Sequence, residues 1–243
     1  MKSILLCEGQ SDAILISYYL NRVKGWTFYG KKDKRKNIIP IRNKENEEAN
    51  WYVLRDDLLV IWGIGGKDNF KYAIEQVLKI NKVANKEDVF NKIIVLRDRD
   101  NFENDIDILN ELNNYFNGVN LENNQWKEKL FVNESQETIS VNILPIIIPF
   151  DKKGALETFI LDAICEMGEE ESYIVNKSKE FISIFNLENY LNTQRLKVKG
   201  ELAVTLGTMF PQKTFTPIDS MLRNIDWEEY RTIQDGFRKL EEI

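Results

Sequence analysis

The sequence predicts an α/β fold in which a Rossmann-like parallel sheet carries helices on both faces. Short apolar runs alternate with amphipathic stretches, which is the order of strand and helix in such folds. The runs are continuously apolar, as expected of strands that are buried on both faces of a sheet. Beyond about residue 166 the apolar spacing is helical throughout. We therefore expect residues 1–165 to form the sheet domain and residues 166–243 a smaller helical extension.

The first part of the sheet domain follows from the spacing of its apolar residues. Residues 2–7, KSILLC, are predicted to form the first strand. Residues 11–23 are predicted to form an amphipathic helix, with Ser11 as a candidate for its cap. A polar insertion over about residues 24–50 is expected to contain loops and a hairpin. Residues 56–66 then form a second strand that ends in glycines.

The same alternation continues through the second part of the sheet domain. Residues 67–80 are predicted to be helical, residues 91–100 to form a third strand and residues 104–116 another helix. Residues 129–149 contain two extended segments, of which the second is very apolar, and residues 153–167 return to helix. In parallel sheets of this kind, ligands bind beyond the carboxyl ends of the strands.

The composition excludes several classes of chemistry. The 243 residues are 43% hydrophobic and 30% charged, as in ordinary soluble proteins, and no stretch is long enough to cross a bilayer. We expect a cytoplasmic protein without membrane contact. Cys7 and Cys165 are interpreted as small core residues in a reducing compartment. Because the chain has no histidine, it contains no Ser-His-Asp or Cys-His nucleophile and no zinc site with histidine ligands.

The charge is distributed unevenly. The chain carries a net charge of -6, yet residues 23–37, VKGWTFYGKKDKRKN, are strongly basic and contain three aromatic residues. This segment is either a solvated hairpin or a surface whose cationic side chains bind phosphates and whose aromatic rings stack on bases. The side chains that would contact nucleic acid are Lys31, Lys32, Lys34, Arg35 and Lys36.

Acidic side chains recur where predicted strands end. Glu8 follows the first strand, and Asp12 comes four residues later, in the first turn of the helix. The third strand ends in Asp98 and Asp100, with Arg99 between them. Because side chains alternate along a strand, we expect the two aspartates to leave the strand on the same face.

The fourth strand completes this pattern. Asp151 lies in the turn that follows it, and Glu157 lies on the next helix. Each acid taken alone is more often a solvated strand end or a helix cap. Together they form a cluster of like charges that is costly unless a cation neutralises it. Mg²⁺ or Mn²⁺ suits such oxygen ligands, and two ions could clamp a phosphoryl transfer.

The order of these motifs resembles the Toprim domain of topoisomerases, primases, recombination proteins and OLD-family nucleases. The nearest similarity is to small stand-alone Toprim-like proteins related to OLD nucleases and to Toprim effectors of ATPase-linked phage-defence systems. It covers roughly residues 1–165. The motifs that carry it are CEGQSD (7–12), GIGGKDN (63–69), VLRDRDN (95–101), KKGALETFIL (152–161) and, more weakly, KVKGELAVTL (197–206).

The resemblance implies a role for each acid. Glu8 would be a metal ligand or general base. Asp98 and Asp100 would bind magnesium, and Asp100 would take part in catalysis. Asp12 would match a second acid after the glutamate-glycine pair, and Glu157 would match a later acidic ligand.

The resemblance also implies a catalytic cation and shows one departure. Lys199 would contact the scissile phosphate. The sequence does not distinguish well whether this lysine or Lys197 takes that role. Thr158 stands where relatives often carry another acid, which bears on a second metal site more than on the first. The GIGGKDN loop lacks the spacing of a nucleotide-triphosphate loop and is interpreted as a tight turn with modest phosphate contact.

The expected function is a Mg²⁺- or Mn²⁺-dependent endonuclease that acts on DNA or RNA, including tRNA, as the effector of an ATPase-associated anti-phage system. The alternative is a non-catalytic adaptor or nucleic-acid-binding module that acts only in complex with a partner ATPase. For that alternative, a stripe formed by Trp227, Tyr230, Ile233 and Phe237 could dock the partner or could pack on the chain's own sheet. The sequence also allows a homo-oligomer.

Overall fold

The computed structural model describes residues 1–31, 39–185, 187–213 and 216–243. Within these residues the chain forms one seven-stranded sheet and eight α-helices. The strands are β1 Lys2–Cys7, β2 Thr27–Gly30, β3 Glu48–Leu54, β4 Asp57–Gly63, β5 Lys92–Asp98, β6 Lys127–Val132 and β7 Thr138–Ile148. The helices are α1 Gln10–Lys24, α2 Phe70–Val83, α3 Ile106–Tyr115, α4 Leu156–Cys165, α5 Glu169–Ser183, α6 Gln194–Met209, α7 Ile218–Leu222 and α8 Arg231–Phe237.

The sheet has the order β2-β3-β4-β1-β5-β7-β6. Its four central strands, β4, β1, β5 and β7, are parallel, which confirms the predicted fold class. The edges differ from the expected parallel sheet, because β3 pairs antiparallel with both β4 and β2 on one side and β6 pairs antiparallel with β7 on the other. Strand β3 was not assigned from the sequence. It joins β4 through the two residues Arg55 and Asp56, a connection that only an antiparallel hairpin allows.

The two faces of the sheet carry separate cores. Helices α1 and α4 pack on one face against alternate strand residues such as Leu5 and Ile94. Helices α2 and α3 pack on the opposite face against Ile4 and Val95. Both kinds of strand residue are fully buried. This explains why the central strands are continuously apolar and do not alternate.

The C-terminal helices join the core on the α1 and α4 face. Trp227, Ile233 and Phe237 are at most 1% exposed, and they belong to the same core cluster as Leu5. The stripe therefore packs on its own chain, and its interpretation as a docking surface is wrong. The physical reason is that an apolar helical face buries itself wherever the fold offers an apolar partner. The close packing of α8 on α4 also depends on Gly236, where a Cβ atom would lie 2.5 Å from Cζ of Phe159.

Among the described residues, none of the helices has both the length and the apolar character that crossing a membrane requires.

Candidate functional site

The register of the central strands brings the ends of β1 and β5 together. The two strands are parallel neighbours, with Leu6 opposite Val95. Glu8, just beyond β1, therefore lies beside Asp98 at the end of β5. The backbone N–H of Asp98 donates a long hydrogen bond of 3.4 Å to Oε1 of Glu8.

A cavity of about 390 Å³ opens at this edge of the sheet. Four of the predicted acids line it, together with two cationic side chains of α6 and two glycines of the loop after β4. These lining residues are Glu8, Asp12, Asp98, Glu157, Arg195, Lys199, Gly65 and Gly66. The exposed Glu45, from the insertion, also reaches this cavity. Residues that are far apart in the chain thus face one space, which we call the acidic cavity.

Asp12 enters the acidic cavity from the first turn of α1. Its Oδ2 accepts a hydrogen bond of 2.8 Å from the backbone N–H of Gly9, so this carboxylate satisfies the start of the helix in place of the expected Ser11. Burial raises the pKa of Asp12 to about 7, and repulsion from Glu8 and Glu157 adds to the increase, while the hydrogen bond from Gly9 opposes it.

Asp98 is held by the start of α4. Its Oδ1 accepts a hydrogen bond of 2.9 Å from the backbone N–H of Leu156, the first residue of that helix. The positive end of a helix favours a carboxylate at this position. Burial nevertheless raises the pKa of Asp98 well above its ordinary value, and the nearby carboxylates of Asp12, Glu8 and Glu157 raise it further.

Glu8 lies between these acids and two cations. Burial raises the pKa of its carboxyl, and repulsion from Asp100 adds to this, whereas the Asp98 N–H, Arg195 and Arg97 lower it. Three neighbouring acids therefore all have pKa values above their ordinary range. Burial is the largest cause for each acid and the neighbouring carboxylates add to it, so a bound cation would favour the ionised forms.

Asp100 departs from the predicted arrangement. Strand β5 ends at Asp98, and Asp100 has the left-handed φ of 52°. The expectation that both aspartates leave the strand on one face is wrong, because this conformation takes Asp100 out of the strand's alternation. Its backbone pairs with Gly154, and its Oδ2 lies 2.6 Å from Nζ of Lys67. It lines a neighbouring cavity beside Thr158.

Arg99 has a structural role that the sequence did not reveal. This buried side chain donates from Nε to the carbonyl of Pro149 at 2.6 Å and from Nη2 to the carbonyl of Phe150. Its Nη2 also lies 2.5 Å from Oδ1 of Asp105. Arg99 therefore ties the end of β5 to the turn that leads from β7 into α4. Arg99 lies between Asp98 and Asp100 in the chain. The turn that it binds is at the same edge of the sheet as the acidic cavity.

Helix α6 closes the acidic cavity from the C-terminal segment. Nζ of Lys199 lies 3.4 Å from Oε1 of Glu157. Arg195, one turn earlier on the same face of α6, lines the same cavity. Lys197 does not line it, so the structure separates the two lysines that the sequence left open. Arg195 was missed, although its i,i+4 spacing to Lys199 was a signal that could have found it.

The predicted nucleic-acid residues are only partly described. Lys31 is exposed, and its Nζ lies 2.5 Å from Oε1 of Glu48. It lines another cavity, which it shares with Gln10 at the start of α1. The remaining predicted contacts lie outside the described residues: Lys32, Lys34, Arg35 and Lys36.

The acidic cavity fits magnesium in its donor chemistry. Buried carboxylate oxygens of like charge are the ligands that hard divalent cations take. Among the described residues, however, no three acidic or cysteine side chains stand where they could hold one ion together. The cavity therefore matches Mg²⁺ in its charge and in its type of ligand atom. The side chains, in the positions they occupy, do not form a coordination shell around one ion. Glu8, Asp12, Asp98 and Glu157 are the residues that would supply it.

We expect the metal-free protein to become less stable as the pH rises through the folded pKa of Asp12. That pKa is about 7 in the folded protein against an ordinary value of 3.8, so the folded state binds more protons between these values. The stabilising contribution is complete below 3.8 and is lost as the pH rises through about 7, an effect on the order of a few kcal/mol. Denaturant unfolding with a chelator present, repeated across this range, measures it.

Asp12→Asn is expected to remove much of this pH dependence, and the exposed Asp107→Asn on α3 serves as its matched control. Added magnesium should restore stability on the alkaline side, because a ligand that binds only the folded state stabilises it. Identical pH profiles for wild type and Asp12→Asn would contradict this prediction.

Comparison with known proteins supports the fold and assigns no activity. The crystal structure of hypothetical protein PH0156 from Pyrococcus horikoshii OT3 is similar, with a TM-score of 0.50 and 15% sequence identity over 98% of this chain and 99% of that chain. Such a low identity shows the fold alone. No curated protein matches the chain. The model of one protein family matches residues 2–212, and the chain belongs to that family, DUF3226, which is described as a protein of unknown function.

Proposed function

We propose that this protein is a Mg²⁺- or Mn²⁺-dependent nuclease that hydrolyses phosphodiester bonds of DNA or RNA. The observation that carries the proposal is the acidic cavity, where buried acids at the end of β1, on α1 and on β5, with the partly buried Glu157 of α4, face Arg195 and Lys199 of α6. Metal-dependent phosphodiester hydrolysis requires acidic side chains that bind a metal ion. It also requires cationic side chains, opposite those acids, that attract the phosphate. The resemblance to Toprim nucleases supports the same activity and suggests an effector in an ATPase-associated anti-phage system.

The acids and the cations would have separate tasks. Glu8, Asp12, Asp98 and Glu157 would hold the ion, which when bound would neutralise and polarise the phosphodiester. Arg195 and Lys199 would pair with the non-bridging oxygens of the phosphate and would stabilise the charge that develops on them. Because both cations lie on one face of α6, that helix sets the distance between the phosphate and the acids.

Glu8 is placed to accept the proton of the attacking water. It lines the same cavity as the other acids that would hold the ion, where a carboxylate can act as the general base. Among the described residues, its carboxylate is tied only by the long hydrogen bond from the Asp98 backbone. Asp12 and Asp98, in contrast, each accept a short backbone hydrogen bond that fixes their orientation. Glu8 therefore has more freedom to move toward the reacting atoms.

The proposal is tested by incubating the pure protein with linear DNA, structured RNA and tRNA. We expect cleavage of at least one substrate in magnesium or manganese and none in excess chelator. The products should be resolved on denaturing gels, so that nicks and double-strand breaks are distinguished. Intact substrates in every metal, with folded protein confirmed by circular dichroism, would reject a nuclease that acts alone.

An exposed apolar surface favours a second candidate, an adaptor that acts with a partner. Large apolar side chains along α5 and in the segment that follows it are exposed. They are Tyr173, Phe181, Ile184, Leu187 and Tyr190, which are between 42% and 73% exposed. Clustered apolar exposure commonly marks a protein interface, and the Toprim resemblance suggests an ATPase as the partner. Activity that appears only after the partner ATPase is added would support this candidate.

A further inference from the structure

A second cavity, of about 480 Å³, lies alongside α1 and is bounded by β2, β3 and the C-terminal segment. Its volume is typical of sites that bind small organic groups. Its walls are rich in aromatic side chains, namely Tyr18, Trp26, Phe28, Tyr52 and Trp227. None of these residues belongs to the acidic cavity. We call this space the aromatic cavity.

We propose that the aromatic cavity binds one unstacked base of the nucleic-acid strand whose phosphate lies in the acidic cavity. The protein then requires a single-stranded substrate or one with a base turned out of the duplex. This inference rests on the proposed function, and it adds the class of substrate. It stands on the face of α1 that contributes residues to both cavities, on the aromatic walls and on the polar groups among those walls.

One face of α1 connects the two cavities. Ser11 lines the acidic cavity, whereas Ile14, Tyr18 and Asn21 line the aromatic cavity. Steps of three, four and three residues place these side chains in one row along a helix. At 1.5 Å per residue, Ser11 and Tyr18 are separated by about 10 Å along the helix axis. A strand of one or two nucleotides can span that distance.

The aromatic side chains are positioned for stacking. Phe28 is 61% exposed, and its ring meets Tyr52 edge to face at 5.8 Å. The guanidinium of Arg223 lies over the ring of Tyr18 at 5.2 Å and donates to its hydroxyl at 2.8 and 3.0 Å, which fixes the orientation of that ring. A base that stacks on Phe28 would cover apolar surface that water now contacts.

The polar groups of the walls suit a base more than a phosphate. Nε1 of Trp26, a donor, and Oε2 of Glu228, an acceptor, are buried without a hydrogen-bond partner among the described residues. Both residues line the aromatic cavity. The edge of a base with an exocyclic amine carries an acceptor and a donor, which are the complements of these two unpaired groups. A phosphate would be repelled by Glu228, and the two arginines of the walls are already engaged. Arg22 lies 2.9 Å from Asp226 and 3.9 Å from Oε1 of Glu228, and Arg223 lies over the ring of Tyr18.

The test measures binding of fluorescein-labelled single-stranded DNA and RNA oligonucleotides, with calcium in place of magnesium so that the strand stays intact. Phe28→Ala is expected to weaken single-strand binding about ten-fold, which is the effect of losing one stacked base. The matched control is Leu130→Ala, an apolar side chain with the same 61% exposure as Phe28, which lies on the opposite edge strand β6 and lines neither cavity. Its affinity should equal that of the wild type. The duplex of the same sequence should bind more weakly than the single strand.

A strand with abasic positions separates stacking from backbone contact. Wild type and Phe28→Ala should bind this strand equally, because no base is left to stack. Equal binding of the normal single strand by Phe28→Ala and Leu130→Ala would overturn the inference, as would tighter binding of the duplex.

The outcomes for the two proposals are distinguishable. If Phe28→Ala weakens binding but no metal supports cleavage, the nuclease proposal fails and the base site remains. If the protein cleaves nucleic acid and Phe28→Ala and Leu130→Ala bind it alike, the nuclease proposal remains and the base site is rejected.

Discussion

Replacing Glu8 with glutamine is expected to lower the rate of phosphodiester cleavage by about 10²- to 10⁴-fold, the usual contribution of a general base. Glutamine keeps the size of the side chain but can neither accept the proton nor supply a negative ligand. The rate should be measured under single-turnover conditions at saturating magnesium, with the substrate that the wild type cleaves best.

The control for Glu8→Gln is Glu75→Gln, an exposed glutamate on α2. Its rate should match the wild type. Glu8→Gln should also be at least as stable as the wild type in chelator, because it removes a buried like charge from beside Asp12 and Asp98. Lost activity in a stable variant would therefore not be an effect of unfolding. Cleavage at the wild-type rate would show that Glu8 has no part in the reaction.

Replacing Lys199 with methionine is expected to lower the rate of cleavage by about 10²- to 10³-fold, the cost of removing one group that stabilises developing charge. Lys199 lines the acidic cavity and lies 3.4 Å from Glu157, whereas Lys197 lies on the same helix outside that cavity. Lys197→Met should keep a rate close to wild type. Both variants lose one lysine from α6, so a difference between their rates reports the position of the lost charge and not the change in net charge.

A second measurement separates two roles for Lys199. If it acts on the phosphate, Lys199→Met should lower kcat at saturating metal, and Lys199→Arg should recover part of the rate. If it only holds Glu157, the loss should appear as a weaker apparent affinity for magnesium, with kcat unchanged at saturation. Equal rates for Lys199→Met and Lys197→Met would exclude the proposed role.

The convergence of Glu8 and Asp98 could be predicted because it depends on a short-range rule. Each acid directly follows an apolar strand, and parallel strands deliver their carboxyl ends to one edge of the sheet. Asp12 was predictable for the same reason, since the first turn of α1 begins immediately after Glu8. The outcome for Asp100 was not, because its left-handed backbone and its pairing with Gly154 involve a loop that follows another strand.

The C-terminal segment shows the limit of pattern reading. The spacing of Trp227, Ile233 and Phe237 shows that one helical face is apolar, but the same pattern serves a core and a docking surface equally. Only the packed structure places that face against α4. The same holds for the choice between Lys197 and Lys199 and for the recognition of Arg195, because the direction in which α6 turns its side chains depends on its packing.

The amino-acid order alone determined the fold class, the absence of histidine chemistry and the collection of acids at one sheet edge. These depend on composition, on the period of apolar residues and on where strands end, which are all local properties. The tertiary structure alone decided which cations face those acids, that Asp100 leaves the alternation of strand β5, and where the aromatic cavity lies. Those features join segments that are far apart in the sequence. Their geometry depends on how the helices pack, which the spacing of nearby residues does not determine.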